Sequence, residues 1–317
     1  MKVLLIGGCG YVGASLAVDL LCNDHHVTVY DAQWFGTGNP PDNENYRLIK
    51  GDIREHKLLL EAMKRQDAII YLASLTNNDE CNKDPALAFE VNETPFPGIV
   101  SAAQRLGIKR FIYASSVAAY GNSDDFLTED TPLKPSTLYG VGKAYCEKVL
   151  KDSSWKNWIV VRPASVCGYS PRMRFDLTVN KMVHDAFVKG RVTVNGGSQV
   201  RSHIHMQDLN RFYNLLLTLP MEKLARQAFN VVSENQRVLD TADMIYKMVL
   251  ASRIEVKDRT DNRSYMVSGD KAKTIGFTPE KYVFDAAKDI YVRFKEGYWM
   301  EDIATNPHYF NVRNEGS

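Results

Sequence analysis

Apolar, strand-like runs alternate with helix-like segments through the first half of the chain. The runs are KVLLIGG, HVTVYD, RLIKGD, DAIIYLAS, KRFIYASS and WIVVRPASV. IIYLA and WIVVR are almost continuously apolar, which is typical of strands buried on both faces of a sheet. The intervening segments predict helices over about 11–22, 55–64, 85–106 and 136–151. Repeated strand–helix units predict an α/β fold with a doubly wound parallel sheet.

The alternation changes after about residue 170. The next 33 or so residues mix basic, aromatic and polar side chains around one amphipathic helix, which predicts a cap over the carboxyl edge of the sheet, where α/β sheets bind ligands. A helix over about 206–219 and the strand AFNVV predict a return to the sheet. The predicted domains are a dinucleotide-binding domain over 1–170, with returning segments at about 204–233, and a smaller substrate-binding domain over 171–203 and 234–317.

Charge and composition limit the classes of partner. The 317 residues include 39 basic and 38 acidic ones that are mixed along the chain, for a formal net charge of +1. No basic face favours nucleic acid, and no polybasic run favours a membrane surface. There is no 18-residue apolar run, and MKVLLIGG is too short for the core of a signal peptide. We therefore predict a cytoplasmic protein with a small-molecule partner.

Metal-ligating residues are not clustered in the sequence. The cysteines are scattered, without a CxxC pair, and favour neither a disulfide framework nor a zinc site: Cys9, Cys22, Cys81, Cys146 and Cys167. His203 and His205 alternate as on one face of a strand, but no further ligand lies nearby in the sequence. No metal site is predicted.

A glycine-rich turn follows the first predicted strand. GGCGYVG reads as GxxGxxG from Gly7, or as GxGxxG from Gly8. Glycines permit the tight turn and the close approach of a pyrophosphate, which then faces the N-terminus of the next helix. Asp31 ends the second strand, about 20 residues on, where an acid hydrogen-bonds a ribose 2′-hydroxyl and repels a 2′-phosphate. The arrangement predicts a Rossmann-type domain that prefers NAD to NADP.

Two further strand ends point to the same crevice. Asp52 follows the third strand, where it either meets the adenine or caps the next helix. Leu72, Ala73 and Ser74 end the fourth strand on the ribose side. Both segments extend the predicted cofactor site beyond the glycine turn.

A tyrosine and a lysine four residues apart share one face of a helix. The spacing occurs three times, at Tyr46 and Lys50, Tyr139 and Lys143, and Tyr291 and Lys295. Only the second pair follows a strand-end serine, Ser116, and lies on the helix predicted after the fifth strand. The second pair is therefore the catalytic candidate.

The chemistry of that pair is acid–base catalysis. A free phenol has a pKa of about 10 and is a poor base at neutral pH unless a positive charge favours the phenolate. Lys143 and a positively charged nicotinamide ring would supply that charge. Tyr139 would then take the proton of a substrate hydroxyl whose carbon gives hydride to the cofactor, while Ser116 holds the same oxygen.

With these motifs the sequence resembles the extended short-chain dehydrogenase/reductase family, in its nucleotide-sugar epimerase and dehydratase branch, to about residue 290. The other matching segments are VRP, VNET with Asn92, DLTVNKMV with Asn180, VRSHIHMQDL with Arg201, and DNRSYMVSGDKAKTIGFTP with Arg263. The resemblance implies that Asn92 supports the active-site backbone and that the other three contact the nucleotide and its diphosphate. The alternative for the two arginines is a surface ion pair.

Motifs and resemblance together assign three groups of residues. The predicted catalytic residues are Ser116, Tyr139 and Lys143. The predicted NAD-binding residues are Gly7, Gly10, Tyr11, Val12, Gly13, Asp31, Asp52, Ile53, Leu72, Ala73, Ser74, Asn92, Ser115, Tyr139, Lys143 and Pro163. The predicted substrate-binding residues are Thr76, Ser116, Ser165, Arg174, Asn180, Arg201 and Arg263.

The residues after Ser116 bear on the reaction. In the branch, 4,6-dehydratases carry an Asp-Glu pair directly after the catalytic Ser or Thr, and decarboxylases keep a Glu there, whereas this chain has Val117 and Ala118. Redox-only chemistry is favoured, namely epimerisation at C4 of a nucleoside-diphosphate hexose. The alternatives are a nucleotide-4-ketosugar reductase and a dinucleotide-sensing or RNA-associated protein without turnover. Members of that last class often lose the Tyr or the Lys, and this chain keeps both.

The chain also departs from the best-known galactose epimerases. Thr76 stands where they have a Lys, and Ser165 stands where they have the Asn of YFN, so the sugar is left open. The resemblance implies a homodimer through the helices at about 85–106 and 136–151. The aromatic tail NPHYFNV is expected to dock on the protein.

Overall fold

The computed structural model describes residues 1–38, 42–123, 125–250, 253–257, 264–299 and 306–311. The strands, in chain order, are β1 Lys2–Ile6, β2 His26–Asp31, β3 Tyr46–Lys50, β4 Ala68–Tyr71, β5 Arg110–Ala114, β6 Phe126–Leu127, β7 Trp158–Pro163, β8 Ser165–Cys167, β9 Arg191–Asn195, β10 Val200–His205, β11 Gln227–Val231, β12 Glu234–Arg237, β13 Arg253–Lys257 and β14 Met266–Val267.

The helices connect these strands and cover them. In chain order they are α1 Tyr11–Cys22, α2 His56–Met63, α3 Asn78–Lys83, α4 Pro85–Asn92, α5 Phe96–Arg105, α6 Leu138–Asp152, α7 Thr178–Lys189, α8 Met206–Thr218, α9 Met221–Leu224, α10 Val238–Val249, α11 Asp270–Thr274 and α12 Val283–Lys295, with 3₁₀ turns at Val117–Tyr120 and Pro307–Phe310. Within the described ranges, no helix is long and apolar enough to cross a membrane.

The main sheet is parallel throughout and has the order β11-β7-β5-β4-β1-β2-β3. The order reverses beside β1, which pairs with β2 on one side and with β4 on the other. A crevice at the carboxyl ends of the strands forms at such a reversal. The predicted Rossmann-type α/β fold is confirmed.

Each strand of the sheet contributes to two cores because successive side chains point to opposite faces. Leu5 belongs to the core under α1 and α8, whereas Leu4 belongs to the core under α2, α5 and α6. Both side chains are fully buried. Burial of a leucine contributes roughly 1.5–3 kcal/mol, so this two-sided burial accounts for the continuous apolar runs in the sequence.

The prediction of one long helix over about 85–106 is wrong. The chain forms α4, which ends at Asn92, and then α5, which begins at Phe96. Pro95 lies at the break and is the N-cap of α5. Proline lacks the backbone N–H and disfavours helical geometry in the residue before it, so the helix ends within the VNETP segment.

A third core lies beyond the main sheet. It joins α7, α10, α12 and β9 with the short segment 306–311. The strands β12-β10-β8 form a small sheet beside it, and β8 follows directly on β7 of the main sheet. After α8 the chain rejoins the main sheet, where β11 pairs with β7, as AFNVV predicts. The domain boundaries themselves stay a prediction.

Candidate active site

The glycine turn fits closely between β4 and α1. Gly7 has φ +88°, and a Cβ there would lie 2.4 Å from the backbone nitrogen of Ala73. A Cβ on Gly13 would lie 2.5 Å from the Cα of Gly8. Gly10 is the N-cap of α1 and has no side chain, so the first N–H groups of the helix have no side-chain cap. The turn has the geometry that holds a pyrophosphate.

Asp31 stabilises the same turn. Its carboxylate accepts hydrogen bonds from the backbone N–H of Cys9 at 2.9 Å and of Gln33 at 2.6 Å. Burial raises the pKa of Asp31, while these two bonds and the charge of Arg172 act in the opposite direction. Asp31, which the sequence predicts beside a ribose, therefore also holds the glycine turn in place at Cys9.

One pocket connects these elements along the carboxyl edge of the sheet. The predicted residues that line it are Gly7, Gly10, Tyr11, Val12, Gly13, Asp31, Asp52, Ile53, Leu72, Ala73, Ser74, Thr76 and Arg174. The lining residues that sequence analysis missed are Cys9, Tyr30, Ala32, Trp34, Phe35, Gly36, Leu75, Val91, Arg172 and Asn311. The pocket extends from the predicted adenine end at Asp52, past the glycine turn, to Thr76, as an extended dinucleotide requires.

Asp52 does not cap α2, because that N-cap position is Glu55. Instead it accepts hydrogen bonds from the side chain of Arg54 at 3.0 and 2.8 Å. The Arg54 guanidinium also lies 5.6 Å from the ring of Trp34, which lines the pocket. The helix-cap alternative is wrong, and Asp52, held by Arg54, lines the predicted adenine end.

Helix α6, which carries the predicted catalytic Tyr139, packs tightly on the turn that follows Ser116. Thr137 caps the helix, and its hydroxyl accepts a hydrogen bond from Gly140 N–H at 3.1 Å. A Cβ on Gly140 would lie 2.6 Å from the carbonyl oxygen of Ala118. Ser116 in turn accepts a hydrogen bond from Ala118 N–H at 3.1 Å. The glycine next to Tyr139 therefore permits the close contact between helix and turn.

Lys143 is buried beneath this contact. Its Nζ donates to the carbonyl oxygen of Ala114 at 2.7 Å and lies 5.5 Å from the centroid of the Tyr139 ring. Burial lowers the pKa of Lys143 to about 8, although the charges of Cys146 and Glu147 oppose the shift. Its ammonium is thus tied to the strand end, close to the phenol ring.

The surroundings of Tyr139 act on its phenol in opposite directions. Burial raises its pKa to about 12, while a hydrogen bond with Ser116 and the charge of Arg174 act in the opposite direction. Sequence analysis assigned the favourable charge to Lys143 and a positively charged cofactor, and the structure adds Arg174. A cationic group beside the phenol is the physical requirement for its use as a base.

Lys143 gives a pH dependence that is open to measurement. Its pKa in the folded protein lies below its ordinary value of 10.5, so the unfolded chain binds more protons between about pH 8 and 10.5. The contribution of Lys143 to stability therefore rises with pH across that window. We expect the difference in unfolding free energy between the native protein and Lys143→Met to change by about 3 kcal/mol over it. Urea unfolding of the NAD-free proteins measures this, and parallel pH curves would contradict it.

A fully buried ion pair lies behind the catalytic residues. Glu147, one turn after Lys143, accepts from Arg162 Nε at 2.8 Å and Nη2 at 2.6 Å, and from Ser115 Oγ at 2.6 Å. Arg162 also donates to the hydroxyl of Tyr120 at 2.7 Å. The side chains of Glu147 and Arg162 are 0% and 1% exposed. The network joins α6 to the residue before Ser116, and no spacing of residues in the sequence predicts it.

Asn92 holds the backbone after β4. Its Oδ1 accepts from Leu75 N–H at 2.7 Å and from the Ser74 hydroxyl at 3.0 Å, and its Nδ2 donates to the Leu75 carbonyl at 3.0 Å. Because the side chain satisfies both polar groups of Leu75, it fixes the strand end that lines the pocket. This is the placement that the resemblance implied.

Asn180 is fully buried and uses its amide within the protein. Its Nδ2 donates to the Tyr11 hydroxyl at 3.0 Å and to the carbonyl of Arg174 at 2.9 Å, and its Oδ1 accepts from Gly168 N–H. Tyr11 donates to the Gly168 carbonyl at 2.6 Å. Asn180 therefore positions the segment that carries Arg174.

The other predicted substrate residues are spread over the small sheet and the end of β7. Ser165 lies on β8, in register with His203 of β10. Arg201 is buried on β10, 5.6 Å from the ring of Tyr265, so a surface ion pair is wrong for it. Pro163 ends β7. Arg263 lies outside the described residues.

His205 has a structural role at the start of α8. Its Nδ1 accepts from Gln207 N–H at 3.1 Å, and its Nε2 lies 3.6 Å from a carboxylate oxygen of Asp289. His203 is buried two residues earlier, and burial lowers its pKa to about 4. Among the residues that the structure describes, no three potential metal ligands cluster.

Comparisons with known proteins agree with this geometry. A family model described as the NAD dependent epimerase/dehydratase family matches residues 3–232. The chain belongs to this family. It is similar to UDP-glucose 4-epimerase of Lactobacillus helveticus, with 25% identity over 309 residues that cover 88% of this chain and 92% of the relative.

Solved structures related to the family show the same fold. UDP-glucuronic acid 4-epimerase from Bacillus cereus, in complex with UDP-glucuronic acid and NAD, has a TM-score of 0.82 and 21% identity, and the match covers 94% of this chain and 100% of that one. The dTDP-glucose 4,6-dehydratase DesIV from Streptomyces venezuelae has a TM-score of 0.84 and 22% identity, with 94% and 99% covered.

NAD is the cofactor of the family, and the pocket fits it. The glycine turn leaves no room for a Cβ at Gly7 or Gly13, and both glycines line the pocket with backbone atoms only. Asp31 lies at one side of the turn, and Arg172 reaches over Phe35, with its guanidinium 5.5 Å from that ring. The protein is therefore an NAD-dependent member of a family that modifies sugars.

Proposed function

We propose that the protein is an epimerase that acts by reversible hydride transfer at C4 of a nucleoside-diphosphate hexose. The observation that supports this reaction is the turn after Ser116. It places Val117 and Ala118 where related dehydratases and decarboxylases carry acids, and Val117 is buried. This turn supplies no carboxylate to move protons at neighbouring carbons, so the proposed chemistry is confined to one carbinol carbon.

The proposed acid–base step uses three residues of the chain. Tyr139, as phenolate, takes the proton of the C4 hydroxyl, and Ser116 donates a hydrogen bond to the same oxygen. Lys143 and Arg174 supply positive charge that favours the phenolate. Bound NAD supplies the hydride acceptor and then the hydride donor. After the sugar has presented its opposite face, Tyr139 returns the proton to the oxygen.

Proton NMR tests this proposal directly. The purified protein is incubated with UDP-, GDP-, CDP- and dTDP-hexoses in the presence of trace NAD and no reductant. We expect one of these sugars to convert to its C4 epimer without net NADH. If no sugar of the panel is converted and an added 4-keto sugar is then consumed with NADH, the protein is a reductase and not an epimerase. Absence of both reactions would favour a dinucleotide-binding protein without turnover.

We also propose that the protein forms a homodimer through α4 and α6. Phe89 on α4 is 57% exposed, and Val141 and Tyr145 on α6 are 42% and 38% exposed. These apolar side chains lie on the two helices that the family resemblance assigns to a dimer. Their burial against a second copy would favour association.

A further inference from the structure

The segment 306–311, which we call the C-terminal strap, docks beside the pocket. The Tyr309 carbonyl accepts a hydrogen bond from Phe175 N–H at 2.6 Å. The Phe310 carbonyl accepts one from Asn77 Nδ2 at 3.2 Å, and the Phe310 ring lies 5.5 Å from the ring of His184. The strap is thus held on both sides, by the loop after β4 and by the third core.

The strap ends by placing Asn311 in the pocket wall. The residue is 6% exposed and has φ +51°, a conformation that asparagine tolerates better than most residues. Its Nδ2 donates to the Thr76 hydroxyl at 3.4 Å. Its Oδ1 is buried and accepts no hydrogen bond from any residue that the structure describes. One half of the carboxamide is therefore committed to the protein, and the acceptor half is buried, without a partner among the described residues, in a residue that lines the pocket.

Thr76 complements this acceptor. Its oxygen already accepts from Arg174 Nη1 at 2.8 Å and from Asn311, so its own O–H is oriented away from both donors. Arg174 also interacts electrostatically with Tyr139. The Asn311–Thr76 pair therefore lies next to Arg174 at the β4 end of the pocket, away from Asp52 after β3.

The chemistry of the pair selects its ligand. A carboxamide oxygen needs a donor, and a threonine O–H needs an acceptor. A phosphate oxygen satisfies only the second, whereas a hydroxyl group satisfies both. We propose that Asn311 and Thr76 form a subsite for a carbohydrate hydroxyl. That hydroxyl belongs either to the sugar of the substrate, in which case the inference rests on the proposed function, or to a ribose of the dinucleotide.

Three variants separate recognition from docking of the strap. Asn311→Gly removes the carboxamide at a position whose positive φ glycine adopts without strain. Asn311→Asp keeps an acceptor of the same shape. Asn77→Asp is the matched control, because it loses the donor to Phe310 but keeps the oxygen that caps α3 through Asp79 and Glu80. It loosens the strap without changing the subsite.

Calorimetric titration of the NAD-free protein with NAD, and of the NAD-saturated protein with UDP-glucose and with UDP, provides the readout. We expect Asn311→Gly to lower the affinity for at least one of the three ligands by about tenfold. We expect Asn311→Asp to recover most of that loss and Asn77→Asp to have a smaller effect. A loss for UDP-glucose but not UDP assigns the hydroxyl to the sugar, and a loss for NAD assigns it to a ribose.

Two results would overturn the subsite. One is unchanged affinity of Asn311→Gly for all three ligands. The other is an equal loss of affinity in Asn311→Gly and Asn77→Asp, with no recovery of affinity in Asn311→Asp. That result would mean that Asn311 only docks the strap. If the native protein binds neither UDP-glucose nor UDP, the uridine form of the proposed function fails, and the NAD titration alone decides the subsite.

Discussion

Replacement of Tyr139 by phenylalanine is expected to lower kcat by about 10²- to 10⁴-fold. The substitution removes one hydroxyl and keeps the ring that packs beside Lys143 and against the core of Leu75 and Cys81. Neither the fold nor the glycine turn depends on that oxygen, so NAD affinity should change by less than about threefold. Turnover of the nucleotide sugar found by NMR, together with NAD titration, measures both quantities.

Tyr291→Phe is the matched control for this experiment. Tyr291 also precedes a lysine by four residues on a helix, and the Lys295 ammonium lies 5.8 Å from its ring. It packs in the third core, away from the cofactor pocket. We expect the control variant to retain native turnover. Full turnover by Tyr139→Phe would rule out the tyrosine as base.

Replacement of Glu147 by glutamine is expected to cost about 3–5 kcal/mol of unfolding free energy. The carboxylate makes two hydrogen bonds with Arg162, and both side chains are buried, so the variant leaves a buried guanidinium without its countercharge. It also changes the acceptor of the Ser115 hydroxyl, directly before catalytic Ser116. Urea-induced unfolding at neutral pH gives the free energy.

Two further variants define the cause of that loss. Glu61→Gln breaks an exposed pair with Lys64 and should change stability by no more than about 1 kcal/mol. The double variant Glu147→Leu with Arg162→Met should recover much of the stability, because apolar groups carry no desolvation penalty. A loss below about 1 kcal/mol in Glu147→Gln would show that the buried pair contributes little.

The elements that were predicted correctly are those whose signals are local. The glycines before Tyr11 and the break in the apolar pattern after Cys22 bound α1 at the predicted positions. The strand ends with Asp31 and Ser74 converge on one pocket because parallel strands share a carboxyl edge. The prediction of one helix over 85–106 was wrong because Pro95, which lacks a backbone N–H, interrupts the helix although the apolar residues on both sides continue the helical pattern.

The parts of the site that were missed depend on contacts distant in sequence. Arg172 donates to the carbonyl of Phe35, 137 residues earlier, and Asn311 meets Thr76 across 235 residues. No spacing within a single segment encodes such pairs. Trp34 and Phe35 are closer to a recognisable motif, since they lie three and four residues after Asp31, but aromatic residues there are equally compatible with a surface loop.

The glycines of the YGVGK segment bear on whether the protein can be stabilised by replacing glycine with alanine. Glycine inside a helix costs roughly 1 kcal/mol relative to alanine, and α6 carries two, Gly140 and Gly142. Exchange for alanine is a standard route to a more heat-resistant enzyme. At Gly140 that route is closed, because the added methyl would lie against the Ala118 carbonyl and push the helix off the serine turn. Helix α6 therefore keeps a residue of low helix propensity beside Tyr139, and heat resistance has to be gained elsewhere in the chain.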